Sequence, residues 1–279
     1  MSSVARLLMD HPSFSQSLFF ISVFAVTWVL EKRALKQPAF DKARHTSLNL
    51  VFLALAMPIQ LVMIALCLGV AQWTSVHHWG LLWLLPDATS PWLRYGAMFL
   101  VLDFLDYVYH YLAHRVPALW RLHLVHHSDE AVDVSTTFRE HPGETFVRTC
   151  FLILWVFLCG APIALLVLRQ TFESIANVSQ HFVFRLPPRA ARLMGLVFVT
   201  PNLHHVHHHF RLPGTDCNYG DVFSIWDRLF GTYVADPGEA ILFGVDTHMG
   251  AGLLSLLGLG WLEQMIKPRQ EPVFARSEA

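Results

Sequence analysis

At 279 residues, with 54% hydrophobic and only 15% charged side chains, the chain is too apolar for an ordinary soluble domain, where about 25% of residues are charged. A mean hydropathy of +0.41 excludes general disorder, and a net charge of −1 leaves no basic excess for nucleic-acid phosphates. The four cysteines, Cys67, Cys150, Cys159 and Cys217, form no CxxC pair, so neither a disulfide framework nor a zinc ribbon fits. The predicted fold class is all-α: a polytopic membrane helical bundle with a cytosolic, histidine-rich helical cap.

In chain order, no small-residue cleavage site follows the first apolar run, so a cleaved signal peptide is not expected. Residues 14–30 form a first candidate span and residues 50–71 a second, with a kink expected at Met57-Pro58. The intervening EKRALKQPAFDKAR carries Lys32, Arg33, Lys36, Lys42 and Arg44, whereas residues 72–93 hold no Lys or Arg. By the positive-inside rule the first loop is cytoplasmic and the second faces away, with Trp73, Trp79, Trp83 and Trp92 suited to the outer interface. A third segment starts near Trp92 and is expected to leave the bilayer as one long helix. The fourth apolar stretch, 146–168, is broken by Cys159-Gly160-Ala161-Pro162, so a hairpin that enters and returns competes with a simple crossing. Residues 250–266 are expected as a docked or interfacial helix. No repeat of 20–50 residues is visible. The organisation expected is residues 1–91 as N-terminal membrane helices and loops, 92–234 as the histidine-rich region, and 235–279 as a C-terminal interfacial segment and tail.

Histidine is over-represented, at 17, and twelve of these fall between His110 and His209. Three spacings recur: His110-x3-His114, His123-x2-His126-His127 and His204-x2-His207-His208. On an α-helix positions i, i+3 and i+4 share a face, so each motif is expected to aim its imidazoles at one point. A single such histidine is more often a satisfied core residue; eight in repeated register point to metal. Imidazole suits zinc, copper, nickel and iron, and this number of ligands is too many for one ion and about right for two. Asp103 and Asp106 lie on the stripe of His110 and are expected to receive imidazole N–H groups, the alternative being a helix end that reaches water. Glu140 and Glu144 are further candidates.

The stretch DFLDYVYHYLAHRVPALWRLHLVHHSDEAVDVSTTFREHPGE, with TPNLHHVHHHF and DCNYGDVFSIWDRLFGTY, resembles the sterol desaturase/fatty acid hydroxylase superfamily over about residues 100–233. The resemblance implies an integral membrane oxidoreductase with two iron ions at the cytosolic face. Such an enzyme uses O₂ and external electrons to hydroxylate or desaturate a lipid C–H bond (sterol, fatty acyl or related). It implies catalytic and metal roles for His110, His114, His123, His126, His127, His204, His207 and His208. His181 in NVSQHFVF matches a further metal position, although Arg185 stands where some members place one more histidine. His141 in REHPGE is expected beside the ligands rather than among them. His205 and His209 are expected to point away. His11, His45, His77 and His78 are expected to be structural or surface residues, and His248 has no assignment.

Removing hydrogen from an unactivated methylene lies beyond any side chain, so the metal carries the hard chemistry while the protein orients and encloses. A lipid tail is expected to enter between the third segment and the 146–168 region. The chain has neither CxxCH nor GxGxxG, so electrons are expected from a separate donor, cytochrome b5-like, ferredoxin or reductase. Arg185, Arg189 and Arg192 could receive such a donor or form a membrane-proximal basic surface. The competing readings are a zinc-dependent membrane lipid hydrolase and a histidine-rich metal transporter. A transporter would place polar ligands inside several spans, and the first two here carry neither acids nor histidines. The expected location is a multi-pass membrane protein with its active site on the cytoplasmic face, a bacterial inner membrane being favoured over the endoplasmic reticulum.

Overall fold

The computed structural model describes residues 12–34, 41–86, 88–211, 214–245 and 256–257. Among them the structure is all-helical, and β-type pairing is limited to two isolated bridges, Phe198 with Phe223 and His209 with Phe243. The long helices are α1 (Pro12–Ala34), α2 (Lys42–Val76), α3 (Pro91–Arg115), α5 (Pro142–Cys159) and α6 (Ile163–Gln180). Between and after them come α4 (Pro117–His127), α7 (Pro188–Met194), α8 (Pro201–His207) and α9 (Ile225–Phe230). Proline opens α3, α4, α5, α7 and α8, where its missing N–H costs nothing and its fixed φ suits the first turn. α2 runs through Pro58 as one continuous element.

The break inside the fourth apolar stretch resolves into a hairpin. Gly160 caps α5 in the left-handed region at φ 68°, and α6 starts three residues later. α5 begins beside His123, through Glu144, and α6 ends at Gln180 with His181 as its C-cap, within hydrogen-bonding distance of His126. The chain therefore leaves the histidine end and returns to it. Each arm has 18 residues, about 27 Å at 1.5 Å per residue, close to the thickness of a bilayer's hydrocarbon core. At the far end the Gly160 turn meets the loop after α2. A Cβ on Gly160 would stand 2.0 Å from the Trp79 carbonyl oxygen, and one on Gly80 2.3 Å from the Gly160 nitrogen. Two glycines let these backbones touch.

Two helical stretches among the described residues are long and apolar enough to cross a membrane, Lys42–Leu84 and Pro142–Cys159. α2 turns Leu61 and Val62 outward at over 60% exposure, as a lipid-facing surface requires. The core between α3 and the α5–α6 hairpin is filled by Met98, Leu102, Cys159, Ala161 and Leu165, with Phe99, Leu105 and Trp155 packed against them. Asp106 on α3 and Arg169 on α6 close the same seam with an ion pair. These side chains pack in the seam where the sequence leads one to expect the lipid entrance. The segment expected over 250–266 lies outside the described residues apart from Leu256 and Leu257; Leu256 packs with Phe52 and Val125. His11 and His248 also lie outside them.

Candidate metal centre

Four separate segments bring nine imidazoles together. α3 carries His110 and His114; α4 carries His123, His126 and His127; His181 follows the last residue of α6; α8 carries His204 and His207, with His208 at its C-cap. They form two groups, His110, His114, His123, His127 and His207 in one, and His126, His181, His204 and His208 in the other. Within each group one nitrogen per residue lies within 4.8 Å of all the others.

Each HxxHH box divides between the groups rather than aiming at one point. At about 100° per residue, i+4 sits roughly 40° to one side of i and i+3 roughly 60° to the other. His123 and His127 therefore face the first group while His126 faces the second, and α8 repeats this in mirror fashion with His204 and His208 against His207.

The ring nitrogens show what this arrangement accepts. Nδ1 of His110 meets the Tyr219 carbonyl at 3.0 Å, that of His207 the Cys217 carbonyl at 2.7 Å, and that of His181 the Asn177 carbonyl at 2.8 Å. His126 Nδ1 meets the Arg139 carbonyl at 3.3 Å. A carbonyl only accepts, so these Nδ1 atoms carry hydrogen and the Nε2 lone pairs face inward. The inward Nε2 atoms of His110 and His123, His126 and His181, and His181 and His204 stand 3.1–3.2 Å apart. Nε2 of His114 and of His207 is buried without a hydrogen-bond partner among the described residues. Lone pairs converging at this distance repel unless a cation lies between them. The donor set, all imidazole, fits two such ions. Burial, reinforced by neighbouring imidazoles, holds His126, His127, His204 and His208 well below the ordinary histidine range and His207 at about 3. Burial thus favours the neutral form of these five imidazoles, the form that metal ligation requires.

Of the carboxylates behind the imidazoles, Glu144 is among the candidates the sequence offers and Asp216 is not, while Asp103 and Asp106 are engaged elsewhere. His123 Nδ1 donates to Glu144 at 2.6 Å and His114 Nδ1 to Asp216 at 3.2 Å. Asp103 accepts instead from the Val222 N–H at 3.1 Å and the Trp226 indole at 2.7 Å, tying the late loop to α3. Asp106 pairs with Arg169, beside Glu173. A shared stripe on α3 put both aspartates near His110, but its Nδ1 is taken by a backbone carbonyl from a loop more than a hundred residues away. His141 caps α5, its Nδ1 accepting the Gly143 N–H at 2.9 Å, one turn before Glu144. Asp216 was missed although its DCNYG context carries the resemblance; spacing alone gives no hint of a contact across 102 residues.

A buried polar frame borders the site. Glu31 of α1 accepts the Val183 N–H at 2.9 Å, two residues beyond His181, and pairs with Lys42, which also binds Asp133. His45 meets Asp129 at 2.8 Å. Burial alone would raise the Asp129 carboxyl, but the His45 contact and the charge of Arg139 hold it well below the usual carboxylate range. His45 thus has a buried structural partner, whereas His77 and His78 stack on Trp73 and Trp83 at the far end. His205 packs on Phe243, away from both groups, and His209 contacts Arg211. Arg185 is engaged by Asp236 and the Glu239 carbonyl.

Fold and site together define a membrane-associated helical protein with an all-histidine pocket suited to a pair of metal ions. The fatty acid hydroxylase family model matches residues 95–232, and the chain belongs to the sterol desaturase/fatty acid hydroxylase superfamily. It is 29% identical to human (Homo sapiens) alkylglycerol monooxygenase over 82% of this chain and 49% of that protein. It is 28% identical to the ornithine lipid hydroxylase OlsE of Rhizobium tropici over 69% of this chain and 53% of that one. A cholesterol 25-hydroxylase-like protein of Danio rerio is 31% identical over 49% of this chain and 54% of its own length. The chain thus spans about half the length of these relatives. No solved structure matches it.

Proposed function

We propose that this protein is an integral membrane di-iron oxygenase that hydroxylates a lipid C–H bond with O₂ and electrons from a separate donor protein. The observation that carries the reading is the pair of imidazole groups of five and four residues with their lone pairs turned inward. We assign His110, His114, His123, His127 and His207 to one iron and His126, His181, His204 and His208 to the other. When bound, the iron pair supplies the O₂-dependent oxidising power that side chains lack. Glu144 and Asp216 fix the tautomers of His123 and His114 and raise the basicity of their Nε2 atoms. The buried walls exclude water, which protects the reacting C–H bond from competing reactions. Hydroxylation is favoured over desaturation by the names of the relatives, a monooxygenase and hydroxylases of lipids.

The basic link between α1 and α2 supports a cytoplasmic site. Glu31 and Lys42, which flank this link, contact Val134, Val183 and Asp133, so the described basic residues beside them, Lys32, Arg33 and Arg44, lie at the histidine end. By the positive-inside rule that end faces the cytoplasm.

Metal analysis of the purified protein, with O₂ uptake on addition of a reductant, tests the reading. Two irons per chain and reductant-dependent O₂ consumption are expected. Two zinc ions with lipid hydrolysis and no O₂ uptake would establish the hydrolase instead. Lipid mass spectrometry of cells with and without the gene then identifies the product as a species heavier by one oxygen.

A further inference from the structure

The segment from 187 to 201, between His181 and the last histidine box, contains Arg189 and Arg192 and no acidic residue. It folds as α7 and a short return, and exposes Leu193 at 69%, Met194 at 50%, Leu196 at 52% and Phe198 at 44%. α9 adds Leu229 at 70% and Phe230 at 52%. The two pieces form one built face. The Gly195 carbonyl accepts the Ser224 hydroxyl at 2.8 Å and the Arg228 guanidinium at 2.9 Å, and the Ser224 N–H donates to the Val197 carbonyl at 2.9 Å. A contiguous exposed apolar surface held this firmly marks an interaction site.

Its surroundings identify the occupant. Phe198 contacts Phe223 with centroids 5.6 Å apart, Phe223 contacts Phe99 at 6.0 Å, and Phe99 contacts Phe172 at 5.5 Å. Phe172 lies on the outer, exposed flank of α6 with Val167 and Ile175. The face is thereby continuous with the exposed apolar flank of α6, an arm of the hairpin whose length matches a bilayer's hydrocarbon core and whose other arm, α5, is apolar enough to cross it. Arg185, the third member of the basic cluster in the sequence, is drawn away to Asp236, which leaves Arg189 and Arg192 beside apolar side chains. Apolar residues flanked by arginines, with no acid in 187–201 and Asp227 of α9 buried, describe a surface lying in the headgroup layer of an anionic leaflet. We infer that α7, its return to Phe198 and the exposed end of α9 form a membrane-embedded collar around the emergence of α3. The apolar side chains enter the acyl boundary, and Arg189 and Arg192 contact anionic phospholipid headgroups. The collar seats the histidine pocket against the leaflet. It stands apart from the oxygenase chemistry.

Nitroxide labels test it in the full chain, reconstituted in phosphatidylcholine vesicles with and without phosphatidylglycerol, in a Cys150→Ser background because Cys150 is the exposed thiol among the four. Labels at Met194→Cys and Leu229→Cys are expected to be several-fold more accessible to O₂ than to a water-soluble nickel chelate. A label at the exposed Glu239→Cys is expected to show the reverse. Adding Arg189→Glu and Arg192→Glu is expected to abolish the lipid-like signal at residue 194 in the anionic vesicles. Water-like accessibility at both 194 and 229 would overturn the inference and leave this face to a protein partner such as the electron donor. Two label sites guard against one that disturbs folding, and circular dichroism checks each variant.

Discussion

Behind the five-imidazole group stand two carboxylates, Glu144 on His123 and Asp216 on His114, whereas behind the four-imidazole group stand, among the described residues, only the backbone carbonyls of Arg139 and Asn177. Nδ1 of His204 and of His208 has no partner among the described residues, as has that of His127 in the first group. An imidazole that donates to a carboxylate is a stronger electron donor and is more firmly oriented than one that donates to a carbonyl. Two pockets that look alike by ligand type should therefore differ in practice. On the proposed assignment, the five-imidazole pocket should hold its ion more tightly and the four-imidazole pocket should release its ion first.

The sharpest way to break this comparison is to remove one ligand from each group. His127→Ala and His208→Ala should each abolish turnover, but His208→Ala should cost a whole ion while His127→Ala leaves four imidazoles and partial occupancy; metal counting by mass spectrometry reads the difference. Equal losses would make the two pockets equivalent. Glu144→Gln is next: metal affinity of the first group should fall about 10–100-fold, moving its release into the range of the second in a chelator titration. Arg169→Met acts on the fold. It leaves Asp106 and Glu173 without their buried counter-charge, and should cost on the order of 3 kcal/mol in thermal unfolding with the metal count unchanged. A loss of metal in that variant would return Asp106 to the support of His110. The smallest effect is expected at the rim, where Arg148→Gln breaks a partly exposed pair with Glu140 and should change stability by less than about 1 kcal/mol.

Legibility from sequence followed the range of the interactions. Spacing of three and four residues marked eight of the nine grouped histidines, because helical geometry is local. His181 belongs to no box and came only from the family resemblance. The division of each box between two groups was also present in the spacing, in the 100° that separates i+3 from i+4, but sharing one face was taken as sharing one target. The hairpin break was visible at Gly160 and Pro162. The partners of the imidazoles were not, since Asp216 and Tyr219 reach α3 across more than a hundred residues and Glu144 had only a weak local claim. The same limit hid the buried cluster of Glu31, Lys42, His45 and Asp133, whose contacts join the first loop region to residue 133 about ninety residues on.

X-ray absorption at the iron edge of the purified full chain, combined with its metal stoichiometry, addresses the site most directly. The account predicts two iron ions per chain with a nitrogen-dominated coordination and the multiple-scattering pattern of several imidazoles on each. A single ion per chain, or coordination dominated by carboxylate oxygen or thiolate sulfur, would contradict it.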